Sequence, residues 1–196
     1  MELESKKDSK FVAWFKTNFT TRTITINALI ASAYVVVTIL CGPLSYEFAQ
    51  FRFSELLNLF VFFNPSYTLG LTIGCLIANL ASTNGVYDIV FGTLATLVSC
   101  LLMIGLSKII KSLLLAGLIP CIINAIVVPF VIYLSCSGTQ DAFALETMYW
   151  TMFGWVFLGE FVCIICIGYP IMFFLTKKNK SFPAKLGFDR NLDFKW

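Results

Sequence analysis

Long apolar runs separated by short polar connections make up most of this chain, and they lack the two-residue alternation of strands. Backbone groups in lipid must be satisfied within their own segment, which leaves helices for runs of this kind. The pattern predicts six. Helix 1 covers about Thr25 to Leu40 and ends at Gly42-Pro43. Glu55 to Phe63 reads as a short helix 2 halted at Asn64-Pro65; at helical rise it reaches only about a third to a half of the way through a bilayer core. Helix 3 spans Ser66 to Ala81, and a Ser82–Gly85 turn leads into helix 4, from Asp88 to about Ser107. Helix 5 runs from Leu113 to Leu134 with Pro120 and Pro129 inside it; a polar loop over Ser135 to Glu146 follows. Helix 6 spans about Met148 to Leu175, with a break expected near Gly154 and a kink at Pro170. The predicted organisation is an N-terminal segment over 1–22, a six-helix membrane domain over 23–176 and a tail over 177–196.

Composition agrees. With 58% hydrophobic and 13% charged residues, the chain has too few polar groups to solvate a globule. Of its 14 Lys and Arg, all but Arg52 fall at or before Arg22, at Lys108 and Lys111, or from Lys177 onwards. Positive residues flanking apolar spans mark the cytoplasmic side, so both termini are expected there, in the cell membrane. This placement explains the basic charge without a nucleic-acid partner. The lead segment, with Phe11, Trp14, Phe15 and Phe19 among cations, reads as a retained interfacial helix rather than a cleaved signal.

Arg52 is the exception, in Gln50-Phe51-Arg52-Phe53-Ser54-Glu55. An ionic group near hydrocarbon is costly unless paired or put to use. Asn79, Asp88, Asn124 and Glu160 are the other sparse polar residues. At helical rise Glu160 lies about 25 Å from the Lys177 end and Asn124 about 20 Å from the Lys111 end, so both fall in the outward half. Asp88 and Asn79 sit at outer helix ends. One polar layer emerges, suited to a small polar ligand. A carboxylate accepts two parallel N–H bonds, as from the edge of a guanine-like base, and Asn or Gln amides match a carbonyl beside an N–H. Tyr87, Phe91 and Trp150 supply rings for stacking. Structural readings stand beside these: an Arg52–Glu55 ion pair holding the loop, Asp88 as an N-cap, and Asn79 and Asn124 as interhelical hydrogen bonds.

Other chemistry has little support. The seven cysteines are scattered apart from Cys163 and Cys166, whose CxxC spacing on an apolar helix puts both on one face; without any histidine, packing explains them better than metal or redox work. Cys41 and Cys136 both fall near the outer side, which leaves a disulfide open. No GxxxxGK[ST] phosphate loop or GxSxG elbow is present, so neither an ATPase nor an enzyme is indicated, and no cofactor or metal. Ala28-x-x-x-Ser32, with Ala31, forms a small-residue stripe that lets another helix approach.

The segments ALIASAYVVVT (28–38), QFRFSELLNLF (50–60), GCLIANL (74–80), YDIVFGTLATL (87–97) and GEFVCIICIGYP (159–170) resemble, in this order, the QueT family. These are substrate-binding (S) components of energy-coupling factor (ECF) transporters linked to queuosine-precursor uptake. The resemblance covers about residues 25–175; Asn58 and Asn64 interrupt apolar stretches of the pattern, and the 135–146 loop and tail match nothing in it. It implies an all-α integral membrane protein with a six-transmembrane-helix S-component bundle, docking on a transmembrane scaffold subunit and two ATPase subunits. The ligand implied is a 7-deazaguanine derivative or queuine. Glu160 would take the guanine-type N–H edge, Asn124 a neighbouring group and Asp88 an ammonium, with Asn79, Tyr87 and Phe91 nearby. Gln50 and Arg52 would form a gate, oriented by Glu55, and Ala28, Ala31 and Ser32 would face the scaffold. An S component for another vitamin-like ligand, an intramembrane enzyme using Asp88 and Glu160, and a structural subunit remain the alternatives.

Overall fold

The computed structural model describes residues 20–42, 45, 51–82, 85–107, 109–136, 142–178 and 181–192. Gln50 and the N-terminal interfacial segment lie outside them. Every regular element among the described residues is helical. Four helices are long and apolar enough to cross a membrane: α1 (Thr21–Leu40), α4 (Asp88–Leu106), α5 (Leu113–Cys136) and α6 (Phe143–Lys178). Two are shorter, α2 (Phe53–Phe63) and α3 (Thr68–Asn79). A last helix, α7 (Ser181–Leu186), follows in the tail.

The boundaries move where local chemistry competes with hydropathy. α1 starts four residues before its apolar run, because the Thr20 side chain accepts the Thr23 N–H at 3.3 Å and caps the helix. The 135–146 connection is shorter than its polarity suggests: α5 continues to Cys136 and Phe143–Glu146 are already helical. Ala, Leu and Glu there are strong helix formers. α6 runs through Gly154 without a break. Its accommodation of Pro170 is spread instead over wide π-type turns at Val162–Gly168, which also separate the CxxC cysteines. At roughly 4.4 residues per turn the pair falls out of phase, leaving Cys163 buried and Cys166 exposed. Cys41 is a free thiol.

α2 is the hub, touching α1, α3, α4, α5 and α6. Its first six residues, Phe53–Asn58, form a tight 3₁₀ stretch and Leu59–Phe63 an α-turn. At about 2.0 Å and 1.5 Å rise respectively, the segment spans about 20 Å, further than α-geometry alone would carry it. Leu59, Val61, Phe62 and Phe63 are buried and anchor the apolar core together with Tyr67, Leu71, Met103 and Ile164. The polar half of α2 points towards the far end of the bundle, opposite the basic end where α1 begins.

α1 and α3 cross closely. Gly70 and Gly74 of α3 lie against Asn27 and Ala31 of α1, and the Gly70 N–H donates to Asn27 Oδ1 at 2.8 Å. Small residues spaced by four allow this backbone approach in lipid. Ala31 is therefore half-buried against α3, whereas Ala28 and Ser32 are exposed on α1's outer side.

Candidate functional site

Glu55 organises the polar layer. In a 3₁₀ stretch residues three apart eclipse, so Asn58 lies on the same side of α2 as Glu55. The Glu55 carboxylate accepts from the Asn58 amide and from the Tyr34 hydroxyl of α1. One turn further along α1, Thr38 Oγ1 donates to the Tyr34 carbonyl at 2.8 Å and lies 2.7 Å from Ser54 Oγ. These contacts tie α1 to the polar end of α2. We expect Tyr34→Phe to lower stability by about 1–3 kcal/mol, since it removes a buried donor to a carboxyl group. Thermal unfolding in detergent measures it; an unchanged midpoint would show that the contact is not stabilising.

A second limb comes from α5 and α6. Asn124 Nδ2 donates to Glu160 Oε1 at 2.9 Å, and Asn124 is also within hydrogen-bonding range of Glu55. The other Glu160 oxygen, Oε2, and Asn58 Oδ1 are buried without a hydrogen-bond partner among the described residues. Glu160 sits just before the π-type turns of α6, a geometry that often marks functional positions.

The third limb joins α3 and α4. Asn79 Nδ2 donates to the Asp88 carbonyl at 3.0 Å and approaches Cys75 Sγ at 3.4 Å; the Ser82 hydroxyl donates to the Asp88 carboxylate. Asp88 opens the first, π-type turn of α4, whose N-cap position is Tyr87. The turn needs Gly92, because a Cβ would come within 2.8 Å of the Asn79 amide and 4.0 Å of an Arg52 guanidinium nitrogen. Arg52 thus reaches the middle of the layer, where its charge acts on Tyr34, Glu55, Asp88 and Glu160, while its Nε donates to the Ser45 carbonyl at 3.4 Å.

Six of the residues singled out from the sequence are therefore neighbours. Glu55, Asn79, Asp88, Asn124 and Glu160 come from five helical segments and Arg52 from the position just before α2, and none is more than 3% exposed. Three carboxyl groups and one guanidinium share this buried layer. Such a cluster favours ligands rich in N–H donors. Tyr87 is 44% exposed and stands apart; Phe91 is half-buried and packs edge-on against Phe130, with ring centroids 6.2 Å apart. Tyr34 and Asn58 were not legible as members. For Asn58 the signal was its three-residue spacing from Glu55, usable only once the 3₁₀ geometry is known; Tyr34 carried none beyond its hydroxyl in an apolar run. No group of three or more His, Cys, Asp or Glu suited to a metal occurs among the described residues.

An all-helical bundle with four helices long and apolar enough to cross a membrane, and with a buried polar cluster, defines a multi-pass membrane protein. A family model described as QueT transporter matches residues 24–177, and the chain belongs to that family, one of transporters and not of enzymes. It is similar to the queuosine precursor transporter QueT of Lactococcus lactis subsp. cremoris (strain MG1363), 45% identical over 73 residues. That match covers 36% of this chain and 43% of the relative, so the chain spans under half the length of the curated relative it matches. No solved structure matches.

Proposed function

We propose that the chain is the membrane-embedded substrate-binding subunit of an ECF-type importer and that it captures a queuosine precursor, a 7-deazaguanine derivative or queuine. The observation that carries this reading is the buried layer in which Glu160, held through one oxygen by Asn124, keeps its other oxygen for a donor. A guanine-type edge offers adjacent N–H groups of this kind. Asn124 meets the neighbouring ring atoms, Asp88 receives an ammonium where the ligand has one, and Asn79 holds Asp88 in place. Arg52 balances the acids of the layer and closes the site from the far end. Phe91 and, further out, the exposed Tyr87 offer rings to a flat ligand.

In this reading six segments, α2 and α3 included, traverse the bilayer, and both termini are cytoplasmic, which the distribution of Lys and Arg supports. ATP is hydrolysed by two partner ATPases, and a transmembrane scaffold subunit docks on the small-residue side of α1. The exposed Ala28 and Ser32 support that assignment, as does the apolar groove between α1 and α3 that Ala28, Ala31 and Ile73 help to line.

The test is binding of the purified protein to 7-deazaguanine derivatives, guanine and a panel of vitamins, with Glu160→Gln alongside. Selective deazaguanine binding without turnover is expected. Glu160→Gln should weaken it roughly 10–100-fold, the scale of one hydrogen bond to a charged group. A vitamin bound in place of every deazaguanine would overturn the ligand assignment. Binding that survives the substitution unchanged would move the site away from Glu160.

A further inference from the structure

The tail does not hang free below the bundle. From Ser181 it folds back against the inner end of α2, at the basic end of the molecule. Phe188 is 6% exposed and stacks on Phe63 with ring centroids 4.9 Å apart and planes 14° from parallel. Phe60 and Phe182 pack edge-on to it at 5.7 Å and 5.9 Å. The main chain is fixed as firmly. Arg22 at the start of α1 donates to the Ala184 and Lys185 carbonyls at 2.7 and 2.8 Å, and Asn64 donates to the Gly187 carbonyl at 2.7 Å.

What these residues do for α2 is specific. A helix leaves its last carbonyls without intrahelical partners, and buried ones must find others. α2 is cut off at Asn64, which turns to extended geometry. Its terminal carbonyls are instead taken by the tail: Asn191 Nδ2 donates to Phe62 O at 2.8 Å, and the Asp189 and Arg190 N–H groups converge on Phe63 O at 3.3 and 3.1 Å. Gly187 at φ 66° and Asn191 at φ 52° supply the two left-handed turns that aim Phe188 and the Asn191 amide at α2. Glycine and asparagine are the residues that adopt this region most readily.

We propose that residues 181–192 are a latch that holds α2 from below and thereby positions Glu55 and Asn58 at its other end. α2 is one short segment of about 20 Å, and its two ends share a single rigid run of backbone. Holding Phe62 and Phe63 fixes the height and rotation of Glu55, and lifting the latch loosens the polar layer without touching it. The segment is thus a handle at the membrane surface through which events at the basic end act on the buried cluster. This follows from the packing alone and does not depend on which ligand the cluster takes.

Hydrogen exchange of the full-length protein in detergent, read by mass spectrometry on peptides covering 53–63, tests it. The comparison is with a chain ending at Lys180 and with the double variant Phe188→Ala/Asn191→Gly, in which glycine keeps the left-handed turn while the amide is lost. The expected result is a tenfold or greater loss of protection through the whole of α2, including Ser54 to Asn58, while α4 and α5 keep theirs. Should the truncated chain not fold, the double variant decides. Loss of protection confined to residues 60–67 and the tail would overturn the proposal, as would unchanged exchange at Ser54 to Asn58.

Discussion

Arg52→Ala is expected to be the most damaging single substitution in the protein, lowering stability by about 3–5 kcal/mol, the scale for stripping one partner from a buried ionic group. The Arg52 side chain is 2% exposed, and its charge acts on Glu55, Asp88 and Glu160. Removing it leaves three buried carboxyl groups without that balancing charge in a medium that solvates none of them. The folded yield and the thermal midpoint in detergent should both fall sharply. Arg52→Lys should recover part of the loss, since charge returns without the planar fork. Arg52→Met combined with Glu55→Gln and Asp88→Asn should recover more, because deleting the charges together removes the imbalance. A wild-type midpoint for Arg52→Ala alone would show that the guanidinium does not balance the acids, and the electrostatic account of the layer would fail.

Gly70→Ala should come next. A Cβ built there lies 2.5 Å from the Asn27 carbonyl oxygen and 2.8 Å from Asn27 Oδ1. The first of these is backbone and cannot swing aside, so α1 must move away from α3. Overpacking of this kind costs about 1–3 kcal/mol, and a larger side chain costs more. The displacement also matters for the site, because α1 carries Tyr34 and Thr38, which hold α2. The matched control is Gly154→Ala in α6, where an added Cβ meets nothing within 4 Å. There the substitution should raise stability by about 0.5–1 kcal/mol through the lower conformational freedom of alanine. Equal thermal shifts at the two positions would refute the close-crossing account of the α1–α3 contact.

Much of the candidate site was legible because polar residues are scarce in this chain. With one basic residue between Arg22 and Lys108, Arg52 declares itself, and helical rise from the basic ends puts Asn124 and Glu160 at matching depth. Their 2.9 Å hydrogen bond brings the two side chains together in the bundle. Hydropathy placed the start of α4 at Asp88 and that of α5 at Leu113. It failed where helical geometry departs from 3.6 residues per turn. The phase of Cys163 and Cys166 depends on the π-type turns of α6, and the alignment of Asn58 with Glu55 depends on the 3₁₀ turns of α2. Gly70 and Gly74 carried the right four-residue spacing for a close helix contact, but spacing alone names no partner.

The sequence by itself determined that this is a helical membrane protein, where most of its helices begin, and which few polar side chains must share a layer. Each follows from local physics: apolar runs in lipid must satisfy their own backbone, and a rare ionic group in such a run needs partners. Only the tertiary structure decided that short α2 is the centre of the bundle, that Tyr34 and Asn58 hold its carboxylate, and that the tail closes its last carbonyls. Those facts rest on contacts between residues far apart in the chain, such as Asn191 with Phe62. No periodicity encodes them. They arise because α2 is short and buried, so the carbonyls at its last turn must find elsewhere in the chain the hydrogen-bond partners that its own length does not supply.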